Sequence, residues 1–167
     1  MVAASKRTTD EWGCAISVYL ILKFVHVVLA IIAVGANATY GVWLALGARE
    51  PQHLRILLRG IQFLDRRIAN PAYGLLLLTG LAMVPVGHLN ARTPWITVAM
   101  ILFVVAVAVG VAGFGRAMER QIRAADGPGP TSDAYRRAAS SAQTWGLVFT
   151  IIVLVLVFDM VTKPAWW

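Results

Sequence analysis

Four long stretches of the chain are almost free of charge, and most of the polar residues fall between them. The apolar runs cover about residues 16–46, 71–88, 95–115 and 145–162, and most reach the roughly 20 residues that carry a helix across about 30 Å of hydrocarbon. None shows the period-two alternation of a barrel strand, and lipid offers no partner for an open backbone amide, so each run is predicted to be a helix. The fold class that follows is an all-α membrane protein, a four-transmembrane-helix bundle forming a single integral membrane domain over residues 1–167. The first run is too long for the apolar core of a cleavable leader and follows the acidic pair Asp10 and Glu11, so it is expected to stay attached.

The connections are patterned too. Between the first two runs, Leu54, Leu57, Leu58, Ile61, Leu64 and Ile68 recur at helical spacing with Arg55, Arg59, Gln62 and Arg66 mostly on other faces, which predicts an amphipathic helix over about 52–69. Two readings fit it equally: a helix lying on anionic lipid, or an extension of the second span packed on its neighbour. Residues 124–134, with two glycines and two prolines among small polar residues, read as a flexible link. Arginines crowd the first and third connections, whereas the second has only Arg92. The positive-inside rule then places both arginine-rich connections, the amphipathic helix and the flexible loop in the cytoplasm, with the N and C termini extracytoplasmic. Tyr19, Trp95, Trp166 and Trp167 would mark the outer interface, and Trp43, Tyr73 and Trp145 the inner one.

Composition sharpens the class. Only 14% of residues are charged against 59% apolar, where about 25% charged is usual for soluble domains. The net charge of +7 therefore belongs to membrane-flanking arginines, and no nucleic acid partner is expected. One cysteine, Cys14, excludes an internal disulfide and any CxxC site. There is no GxxxxGK, HExxH or GxSxG, and GVAGFG has the wrong glycine spacing for a dinucleotide loop. Enzymatic activity is left open.

The chemistry lies in polar residues set into the spans. Tyr19, Lys23, His26, Ala30, Ala33, Asn37, Tyr40 and Gly41 fall on one side of the first helix, opposite Ile21, Val28, Ile32 and Val42, so that stripe should face protein. Asn37 reads as an interhelical hydrogen-bonding residue. With Tyr19 and Trp166 as outer markers, Lys23 lies about 6 Å deep and His26 and Asp159 about 10 Å. An isolated charge at mid-bilayer costs roughly 2.5–3.5 kcal/mol or more, so Lys23 and Asp159 are predicted to pair between the first and fourth spans; the alternative is that Lys23 snorkels to the headgroups. His26 is a neutral interhelical hydrogen-bonding group, a metal or haem ligand, or a proton-transfer group. His88 is the one histidine placed to be a second ligand, and Met83, Met100 and Met160 share its half of the membrane, which with His26 would suit Cu(I) or haem iron. In the third span Ala106 with Gly110, and Ala108 with Ala112, offer small-residue contacts, while the fourth should show much of its surface to lipid.

The run L-K-F-V-H with Gly35 and Asn37 behind it, then D-R-R-I-A-N-P-A and L-L-L-L-T-G ending at Thr79 and Gly80, resembles a bacterial family of four-helix integral membrane proteins of unknown function. That family is distantly similar to copper-resistance D-type proteins and to the four-helix haem-binding protoporphyrinogen oxidase. The resemblance implies a bacterial inner-membrane, multi-pass location. It also implies haem b with His26 as axial ligand, although the tryptophan and Leu-Pro-Arg signature of the oxidases are absent here. Three functions stay open: a haem b protein of membrane electron transfer, a copper or small-ion transport component, and a noncatalytic structural or accessory subunit. The partners are the lipid bilayer and either another membrane protein or a second copy of the chain.

Overall fold

A computed structural model describes residues 2–50 and 52–164, with side chains from residue 18 onward; Trp166 and Trp167 lie outside the described residues. The described residues are all-helical, and among them are four helices long and apolar enough to cross a membrane. Helix α1 is Val2–Arg49, α2 Leu54–Leu64, α3 Asn70–Val86, α4 Pro94–Ala108, α5 Arg116–Asp126 and α6 Asp133–Thr162. No break separates α2 from α3 or α4 from α5. A π segment, Asp65–Ala69, joins the first pair, and another, Val109–Gly115, joins the second.

Each π segment has a local cause. Pro71 has no N–H to offer the carbonyl of Arg67, and the ladder slips to i→i+5 pairing just before it, the Asn70 N–H bonding the Asp65 carbonyl. The second segment reads VGVAGFG, and its three glycines leave the backbone free to widen. Both composite rods, Leu54–Val86 and Pro94–Asp126, contain 33 residues, about 50 Å at 1.5 Å per residue, so each projects well beyond ~30 Å of hydrocarbon.

Two antiparallel pairs make up the membrane part. In the first, Tyr19 lies against Gly87, His26 against Gly80, and Asn37 donates to Tyr73 Oη at 2.7 Å, which sets α1 against α3. In the second, Trp145 covers Gly113, Phe149 lies over Gly110, and the Lys163 ammonium sits 5.4 Å from the Trp95 ring centroid, which sets α4 against α6. Ala33, Ala72 and Leu76 close the first seam, and Ala99, Ala106 and Val153 are buried on the elements of the second. Ala108 and Ala112, expected to allow a second close approach, are instead exposed. Leu147, Ile151, Leu154, Phe158 and Val161 of α6 are exposed, the lipid-facing surface anticipated for that span.

The two pairs are clamped at the arginine-rich end. Leu54, Leu58 and Ile61 of α2 are buried with Tyr40, Phe114 and Met118, and the Tyr40 and Phe114 rings stack at 6.0 Å. The apolar face of α2 is therefore spent on protein and not on lipid, which favours the second of the two readings of this helix. Arg66 reaches Glu119 at 2.8 Å and Arg59 reaches Asp126 at 3.3 Å, but such exposed pairs contribute only about 0.2–1 kcal/mol each. At the other end a short turn, residues 87–93, ties α3 to α4. Between clamp and turn, α3 and α4 nowhere approach within 8 Å between Cα atoms.

Candidate functional site

His26 sits in the α1/α3 seam, half-buried. Its Nδ1 is 2.9 Å from Thr79 Oγ1. The Thr79 hydroxyl has the carbonyls of Leu75 and Leu76 at 2.9 and 3.1 Å for its own proton, so toward His26 it acts as an acceptor. That arrangement suits the tautomer protonated at Nδ1, in which Nε2 carries the bare lone pair. The close fit depends on Gly80, where an added Cβ would lie 3.2 Å from His26 Cε1. The imidazole is thus oriented from α3 by a hydroxyl and a glycine at successive positions.

The other residues singled out from the sequence divide between the two pairs. Met83 lies one turn outward from Thr79 on the same side of α3. His88 follows at the end of that helix with φ 49°, about 12 Å along the axis from Gly80, so the seam does not set it opposite His26. Met100 and Met160 belong to α4 and α6, the other pair. Among the described residues no group of three or more His, Cys, Asp or Glu could hold a metal ion.

Lys23 and Asp159 do not meet. Lys23 is exposed and no ion pair joins the two, whereas Asp159 is 4% exposed with its Oδ2 lacking any hydrogen-bond partner. The matched depth was insufficient because rotation about the axis decides the partner. Asp159 is fourteen residues from Trp145, two heptads along the face of α6 that packs on α4, and the register places it level with Ala99.

Asn37 makes the expected interhelical bond to Tyr73. Asn37→Ala is expected to lower stability by about 0.6–1.7 kcal/mol, read by SDS titration, and in a double-mutant cycle with Tyr73→Phe the losses should not add. Simple additivity would mean that the bond contributes nothing.

A second polar site was not legible as such. Between α3 and α4 lies a cleft of about 450 Å³ whose polar lining is Asn37, Asp65, Asn70 and Tyr73 and whose far wall includes Phe103, Val107 and Phe149. It adjoins a hollow of about 330 Å³ that shares Asp65, Asn70, Gly110 and Val111 with it and adds Arg66, Arg116 and Glu119. Both π segments border this space, and such segments recur at functional sites. The sequence signal was present in D-R-R-I-A-N-P-A, a carboxylate six residues before a helix-interior proline, but it was hidden within an arginine-rich amphipathic pattern.

A family model described as "Predicted integral membrane protein (DUF2269)" matches residues 20–164. No curated protein and no solved structure matches the chain.

Proposed function

The chain belongs to the DUF2269 family of predicted integral membrane proteins, and from that premise we propose that it is a haem b protein of membrane electron transfer with His26 as axial ligand. The observation that carries this reading is the 2.9 Å contact between His26 Nδ1 and Thr79 Oγ1, which frees Nε2. A ligating histidine commonly has its other ring nitrogen held in this way, and the holding group fixes both tautomer and ring orientation. Haem iron bound there would supply one-electron redox chemistry. The protein's own contribution is to aim the imidazole through Thr79, admit it through Gly80, and keep it within apolar surroundings. Met83 lies one turn outward from Thr79 on the same helix, whereas His88 is not set opposite His26.

In this reading the protein lies in a bacterial inner membrane, with the arginine-rich clamp in the cytoplasm and His26 in the outer half. Copper held jointly by His26, Met83, Met100 and Met160 fits less well, since Met100 and Met160 belong to the other helix pair.

The test is an absorption spectrum of the protein produced with haem supplied and purified in mild detergent. A Soret band is expected in the wild type and its loss in His26→Ala. Thr79→Val should retain the fold and weaken haem affinity by about 10–100-fold, the range typical for loss of such a supporting group. Colourless wild-type protein, or a band indifferent to His26→Ala, would leave the accessory-subunit reading in its place.

A further inference from the structure

We infer that the cleft between α3 and α4 binds an amphipathic organic amine, its ammonium group at Asp65 and its apolar body against Phe103, Val107 and Phe149. Charge gives the first reason. Among the described acidic side chains, Glu50, Glu119, Asp126 and Asp133 each have an arginine or histidine nitrogen within 4 Å. Asp65 has none, and its Oδ2 accepts only from the neutral Asn70 Nδ2 at 3.2 Å. In a chain of net charge +7, a carboxylate that no basic side-chain nitrogen reaches within 4 Å, with the neighbouring Arg66 turned to Glu119 at 2.8 Å, can take a cation from a ligand. It is also the one charged residue lining the larger cleft.

Shape and the remaining chemistry point the same way. A volume of about 450 Å³ lies within the roughly 300–1,000 Å³ range of small-molecule pockets. A bare metal ion would need several converging oxygen ligands and no apolar wall. Here the walls are largely apolar, and the aromatic rings are of the kind that attract organic cations. Tyr73 meets Phe149 edge-on at 5.9 Å and holds its hydroxyl against Asn37 at 2.7 Å, so the polar corner and the aromatic wall are built together. The separation of α3 from α4 leaves room for the space, which adjoins the hollow lined by Arg66, Arg116 and Glu119 at the arginine-rich end. Its lining includes none of His26, Thr79 and Gly80, and it does not depend on haem.

The probe is 4-phenylbutylammonium, titrated calorimetrically into the full chain in phosphatidylcholine nanodiscs, with empty nanodiscs subtracted. Neutral 4-phenylbutanol and anionic 4-phenylbutyrate serve as matched ligands. Saturable binding of the amine is expected, at least tenfold tighter than either matched ligand. Asp65→Asn, which keeps the size of the side chain, should weaken it at least tenfold. Gly74→Leu should do the same by filling the space: Gly74 lines the cleft, and an added Cβ there meets nothing within 4 Å, so the side chain starts into open space. The proposal is overturned if the amine binds no better than the alcohol, if Asp65→Asn binds it unchanged, or if the butyrate is preferred. The last result would assign the space to an anionic headgroup beside Arg116.

Discussion

Shortening Leu58 or Ile61 to alanine is expected to lower unfolding free energy by about 2–5 kcal/mol each, the range for truncating a packed aliphatic side chain. Both are 1% exposed, and both belong to the cluster that joins α2 to Tyr40, Phe114 and Met118. Since α3 and α4 make no close backbone approach, this cluster is the main apolar bond between the two helix pairs. Its loss should therefore separate the pairs as well as destabilise them. SDS titration followed by tryptophan fluorescence measures the first effect, and an engineered cross-link between α2 and α5 reports the second. Ile56→Ala on the exposed face of the same helix is the control and should fall within about 0.5 kcal/mol of wild type. Equal losses at Ile56 and Ile61 would mean that α2 rests on the bilayer surface after all.

The second large effect has the opposite sign. Asp159→Leu is expected to raise stability by about 1–3 kcal/mol, because it removes a buried acceptor atom with no partner and replaces it with an apolar group of similar size. Lys23→Met, on the exposed face of α1, should change stability by less than about 0.5 kcal/mol. If instead Asp159→Leu destabilises by about 3–5 kcal/mol, the loss expected when a buried charge is stranded by removing its partner, then an ion pair exists and the contact between α1 and α6 is closer than described. The same SDS titration decides the sign.

These two cases show what hydropathy and periodicity convey and what they omit. The four spans were legible because a run of about 20 apolar residues admits few other structures. The stripe on α1 was legible because polar and small residues repeat at helical spacing, and Tyr19, His26, Ala33, Asn37 and Tyr40 do turn toward protein. The pairing of α1 with α3, and of α4 with α6, was not, since depth along an axis does not specify the neighbour across it. That omission produced the Lys23 and Asp159 pair. Periodicity left open whether α2 extends the second span, and hydropathy gave no sign that α5 continues the third, because it marks the apolar part of a helix and not its ends. Asp65 does not stand out in the arginine-rich amphipathic pattern of the sequence; only the placement of α3 beside α4 shows that it lines an interhelical space.

Joined by the 87–93 turn at one end and the α2/α5 clamp at the other, α3 and α4 stand as two struts held apart in the middle, with the Tyr73 and Phe149 rings meeting at 5.9 Å beside the gap. Acyl chains press on such struts from outside, and the lateral pressure of a bilayer changes with its thickness and lipid packing. The width of the gap is accordingly the dimension on which a change in bilayer thickness would act first.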